Sequence, residues 1–167
     1  MIGLGNPILG DDGVGWRVAQ AVHSAIQKPP AQESNPSSEF PVEIDFLSLG
    51  GLSLMERMVG YTNAVLIDAI VTQQHPQGTV LQFSLDELPP GSPGHMASAH
   101  DTTLKSAVEL GYRAGVQLPE EIEIVAIESS HVYDFSEELS PPIESAIPKA
   151  VELVLKILRR IESSGTR

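Results

Sequence analysis

The chain has 167 residues, 41% apolar and 19% charged, with no cysteine and a formal net charge of -12. That length fits one domain with a hydrophobic core, and the apolar share argues against disorder. Without cysteine there can be no disulfide, thiolate metal site or cysteine nucleophile, which suits a reducing cytosol. So acidic a surface repels nucleic-acid phosphates and anionic lipid headgroups.

The start, Met1–Gly5, has no basic segment followed by a long apolar stretch, and no apolar run approaches the roughly 20 residues of a membrane span. The expectation is a soluble, cytoplasmic protein that binds neither nucleic acid nor membrane, monomeric by default.

Met1–Leu4 reads as a short strand entering the glycine-containing loop Gly5–Gly10. Val14, Val18, Val22 and Ile26 then recur at helical spacing, so Gly13–Gln27 is an amphipathic helix. Asp11 or Asp12 is placed to cap its N-terminus. Lys28–Pro41, rich in Pro, Ser, Asn and Gln, reads as an exposed loop, long for a compact domain. A strand over Val42–Leu47 follows, then Gly50-Gly51 and a short helix near Leu54–Val59.

Ala64–Val71 is a continuous apolar run broken by Asp68, the pattern of a central parallel strand buried on both faces. Thr79–Ser84 is another strand, and Leu85–Ala99 a Pro/Gly-rich loop. Asp101 is then placed to cap a helix over Thr102–Ala114, and Ile122–Glu128 is a further strand. A last helix covers Pro141–Ile161, with Ser140-Pro141 as its start signal and Ile143, Ile147, Val151, Val154, Leu155 and Leu158 as its apolar stripe. Pro148 should kink this helix or mark where it begins. The alternation predicts a single α/β domain over 1–167: a three-layer α/β/α sandwich with a mostly parallel twisted central sheet, phosphorylase/hydrolase-like in plan.

In open α/β sheets, sites lie beyond the carboxyl ends of the strands. Three polar groups fall there: Asp11-Asp12 before the first helix, Asp68 late in a buried strand, and His100 before a later helix. An ionised carboxylate among Val, Leu and Ile costs several kcal/mol unless it is paired, capped or metal-bound. Asp68 is therefore either a structural acceptor of backbone N–H groups or a functional group. Of Asp11 and Asp12, one can cap while the other points into the crevice.

His23, on the first helix, reads as a surface residue, and His75 and His95 as solvated loop residues. His131 lies beside Ser129 and Ser130, but no G-x-S-x-G elbow accompanies it. Asp12, Asp68 and His100 together would make two carboxylates and an imidazole, a set able to hold Zn²⁺ or Ni²⁺ with positions left open. The zinc-protease helix H-E-x-x-H is absent, as is the dinucleotide fingerprint G-x-G-x-x-G.

The run GLGNPILGDDGVG, then LIDAIV, then a His shortly before a helix closely resembles the hydrogenase maturation endopeptidase family. The likeness extends in order through Gly50-Gly51 to the Pro-bearing C-terminal helix, and is greatest to members serving cytoplasmic, bidirectional-type hydrogenases. It implies an endopeptidase that removes a C-terminal extension from the precursor of the nickel-iron hydrogenase large subunit after nickel insertion. It also implies that Asp12, Asp68 and His100 recognise the metal, which is nickel supplied by the substrate, with no organic cofactor. With no cysteine and no triad, the nucleophile is a water activated by a carboxylate or by the metal.

Two departures stand out. Many relatives carry Glu where Asp12 stands, one methylene longer, and they carry apolar residues ahead of the Gly-x-Gly that here follows so short a strand. A peptidyl-tRNA hydrolase shares the GLGNP opening but expects a catalytic His soon after it and a basic face for tRNA. Here that region reads GDDGVGWRVA. A non-catalytic module that grips a metal-bearing partner is the other alternative.

Overall fold

The computed structural model describes residues 1–27, 42–88, 103–130 and 135–165. The long 28–41 loop, and with it Pro41, lies outside them, as do His95, His100, Asp101 and His131. The strands are β1 (Ile2–Leu4), β2 (Asp45–Leu47), β3 (Asn63–Ile70), β4 (Val80–Ser84) and β5 (Glu121–Glu128). The helices are α1 (Val14–Gln27), α2 (Gly51–Arg57), α3 (Leu104–Arg113) and α4 (Pro141–Gly165).

The sheet runs β2-β1-β3-β5-β4. The first four strands in that order are parallel, and β4 closes the edge antiparallel to β5. The mostly parallel sheet read from the sequence is thus present. Its centre is β3, with Leu66, Ile67 and Ile70 almost wholly buried, each contributing about 1.5–3 kcal/mol by leaving water.

Strand alternation divides the core in two. Val65, Ile67, Ala69, Val125 and Ile127 face α1 and α4, while Leu66, Ile70, Ile124 and Ala126 face α2 and α3. Helix α1 buries Val14, Val18 and Val22 as its spacing predicts, but Ile26, in the last turn, stays exposed. Trp16 fixes α1 beside β2, donating its indole N–H to the Leu47 carbonyl at 3.3 Å and packing on Phe46.

Two local expectations are corrected. The N-cap of α3 is Thr103, whose hydroxyl accepts from the Ser106 N–H at 3.2 Å, so the helix begins after Asp101 rather than being capped by it. Helix α4 begins at Pro141, as the Ser140-Pro141 signal predicts, and continues through Pro148. Its buried line is Ile143, Ala146, Ala150, Val154, Ile157 and Ile161, with Ile147, Val151, Leu155 and Leu158 only half-buried on its flank. Choosing stripes by side-chain size passes over alanines, yet Ala146 and Ala150 lie on the buried face. Among the described residues, no helix is long and apolar enough to cross a membrane.

Candidate active site

The chain leaves β1 through α1 on one face of the sheet, and leaves β2 through α2 on the other. It then crosses back to place β3 on the opposite side of β1 from β2. The carboxyl ends of β1 and β3 therefore flank a topological switch point, where α/β sheets open a crevice. Ile2 pairs with Leu66 and Gly3 with Ile67, and continuing that parallel register brings Leu4 beside Asp68.

Between β1 and α1 lies a 3-10 turn, Gly10–Gly13, which packs against β3. Glycines allow the close approach. A Cβ on Gly15 would stand 2.2 Å from the Leu4 carbonyl oxygen and 2.3 Å from that of Ile67, so α1 starts almost on the backbone of both strands. Gly5 has φ +122°, and a Cβ there would meet the Asp12 carbonyl at 1.8 Å. Neither position tolerates a side chain.

Asp12 is 4% exposed, and its Oδ2 accepts the Asn6 N–H at 2.6 Å. Asp68 is wholly buried within β3, its Oδ1 accepting the following Ala69 N–H at 2.9 Å. The alternation of β3 puts Asp68 on the α2 and α3 side of the sheet. Asp12, in the turn that leaves β1 and packs against β3, and Asp68, late in β3, thus both belong to the carboxyl-end edge of these two paired strands. Among the described residues no three His, Cys, Asp or Glu side chains gather as a metal site, so the set read from the sequence depends on His100. His23 and His75 are exposed, as their positions suggested.

Asp11 takes neither of the roles considered for it. The Val14 N–H bonds to the Asp11 backbone carbonyl, not to a carboxylate, and the 3-10 turn has no side-chain cap. The Asp11 side chain, 3% exposed, points instead to the start of α4. Its Oδ1 accepts the Ser140 N–H at 2.7 Å, and its Oδ2 accepts from Ser140 Oγ at 2.8 Å, Gln77 Nε2 at 3.1 Å and Ser129 Oγ at 3.2 Å. Ser129, weighed beside His131 as a serine–histidine pair, thus serves this cluster. Neighbouring backbone bonds join the same loops: Gly10 N–H to the Ser136 carbonyl at 2.6 Å, and Ser136 N–H to that of Ile8 at 3.1 Å.

Glu128 was read only as the end of a strand, yet it is a second buried anchor at this edge. It is 2% exposed and accepts from the Thr72 N–H (2.8 Å), the Thr72 hydroxyl (2.6 Å) and the Gln73 N–H (2.9 Å). It holds the turn after β3, in which Gln73 adopts φ 59°. An acidic residue closing the apolar run IEIVAIE was the available signal.

Fold and site define an α/β protein with two buried carboxylates at the switch point of its sheet. A model of the hydrogenase maturation protease family matches residues 39–157, and the chain belongs to that family and is a peptidase. It is 25% identical over 161 residues to the hydrogenase expression/formation protein HupD of Rhizobium leguminosarum bv. viciae, covering 95% of this chain and 73% of that protein. It is also 25% identical over 159 residues to the hydrogenase 2 maturation protease of Escherichia coli K12, covering 95% and 89%. Among solved structures, the HybD endopeptidase of E. coli superposes with a TM-score of 0.67 at 21% identity, over 95% of this chain and 90% of that one. The HybD protease of Thermococcus kodakarensis gives 0.59 at 23% identity, over 93% and 95%.

Proposed function

We propose that this peptidase is a cytoplasmic enzyme that removes the C-terminal extension of a nickel-loaded hydrogenase large-subunit precursor, recognising the bound nickel through Asp12, Asp68 and His100. The nickel is part of the substrate. The observation that carries the reading is the pair of buried carboxylates, Asp12 and Asp68, at the β1–β3 seam, while the adjacent Asp11 is engaged elsewhere. Two carboxylates nearly neutralise a divalent ion, and a His is a suitable third donor for nickel.

Hydrolysis consumes one water. Its oxygen ends on the carboxyl group of the new C-terminus, the C–N bond breaks, and the departing amine takes a proton. A carboxylate at the crevice can accept the proton of the attacking water, giving an aspartic-type peptidase. Requiring nickel for docking makes cleavage a check that the metal has been loaded.

The test is incubation of nickel-loaded precursor with the full chain, followed by mass measurement of the large subunit. Loss of a short C-terminal peptide supports the reading. A stable uncut complex would instead identify a non-catalytic metal-dependent binding module.

A further inference from the structure

We infer that Asp11 is a positioning residue for this peptidase: its carboxylate holds the 3-10 turn that carries Asp12, and so sets how Asp12 meets the β1–β3 crevice. The inference rests on the reading of Asp12 as a nickel-recognition group.

Asp11 gathers donors from three remote places: the residue after β5 (Ser129), the β3–β4 loop (Gln77) and the start of α4 (Ser140). Gln77 also bonds Ser140 Oγ at 3.0 Å, so the donors brace one another. In the sheet β3 separates β1 from β5, so the loops leaving β1 and β5 join across the end of the strand that carries Asp68. The backbone pairs between Ile8–Gly10 and Ser136 tie the same two loops, and the Arg17 guanidinium on the Glu137 carbonyl at 3.1 Å ties α1 to the second of them.

Part of this bonding serves stability, because a carboxylate at the N-terminus of α4 meets the positive end of its dipole. A second consequence follows from covalent geometry. Asp11 and Asp12 are consecutive residues of a four-residue 3-10 turn, so a shift of the Asp11 anchor is passed directly to Asp12. A misplacement near 1 Å at a reacting site can cost about 10²-fold.

The replacement Asp11→Asn keeps size and one acceptor. It turns the other atom into a donor facing Gln77 Nε2 and Ser129 Oγ, so the cluster must rearrange. Ser140→Ala removes one bond to Asp11 without touching the 3-10 turn.

The experiment measures kcat and KM of Asp11→Asn, Ser140→Ala, Gln77→Ala and Asp12→Asn, as full chains, on nickel-loaded precursor, alongside Tm and circular dichroism. With slow chemistry KM reports docking. Positioning predicts KM raised by about 10-fold for Asp11→Asn, less for Ser140→Ala and least for Gln77→Ala, in molecules that remain folded at the assay temperature. A purely structural Asp11 would lower Tm and leave KM at the wild-type value.

Wild-type KM in both Asp11→Asn and Ser140→Ala overturns the inference, and if Asp11→Asn does not fold, Ser140→Ala decides alone. Wild-type KM and kcat in Asp12→Asn would overturn the reading of Asp12 itself. Impaired Asp12→Asn beside wild-type KM in both Asp11→Asn and Ser140→Ala would remove only the positioning role.

Discussion

The clasp around Asp11 and the β1–β3 seam beside Asp12 meet in one 3-10 turn, and the two neighbouring carboxylates bond in different directions, Asp11 to the start of α4 and Asp12 to the Asn6 N–H. Asp11 bonds partners 66, 118 and 129 residues away. The backbone amides given above for Asp12 and Asp68 lie six residues and one residue away. The Asp11 carboxylate draws remote loops together, while Asp12 and Asp68 each accept a nearby backbone amide, in a region where glycines let the turn and helix approach the strands. Two adjacent residues of the same type therefore serve different ends, decided by what the topology brings to each.

The largest effects should separate chemistry from fold. Asp68→Asn and His100→Gln are each expected to abolish cleavage in a mass-based assay, a loss of about 10³-fold or more, in chains whose circular dichroism is unchanged. Wild-type rates in both would refute the assignment. Gly15→Ala should break both regions together, because its methyl meets two backbone carbonyls. A destabilisation of about 3 kcal/mol lowers Tm by roughly 6–12 °C in a domain of this size. An unchanged melting curve would mean that α1 does not sit on β1 and β3 as described.

Smaller effects sharpen the contrast at the far side of β3. Glu128→Gln loses the charge in its bonds to Thr72 and Gln73 and should cost about 1–3 kcal/mol in urea unfolding. Gln73→Gly relieves a left-handed backbone at the price of chain entropy, for a net stabilisation below about 1 kcal/mol. Clear destabilisation by that replacement would show that the Gln73 side chain has a role of its own.

The layered fold was legible because its signals are local. The Val14–Val18–Val22 spacing, the two-face burial of Val65–Ile70 and the Ser140-Pro141 start all depend on neighbours in sequence. Asp68 was legible for the same reason, as a carboxylate inside an apolar strand. The role of Asp11 was not, since its partners Gln77, Ser129 and Ser140 come together only when the β1, β3 and β5 exits converge. The buried line of α4 was misjudged at Ala146 and Ala150, small side chains that carry little apolar area yet are buried. Thr103 replaced Asp101 as a cap because both are good caps and the sequence does not say which residue turns extended.

Under the proposed function, docking depends on the metal carried by the substrate. The most direct test of that dependence runs two precursor preparations in parallel, one loaded with nickel and one nickel-free, at equal enzyme, and follows loss of the tail by intact mass. The loaded precursor is expected to be cleaved, and the nickel-free one little or not at all. Equal rates for both would contradict that dependence.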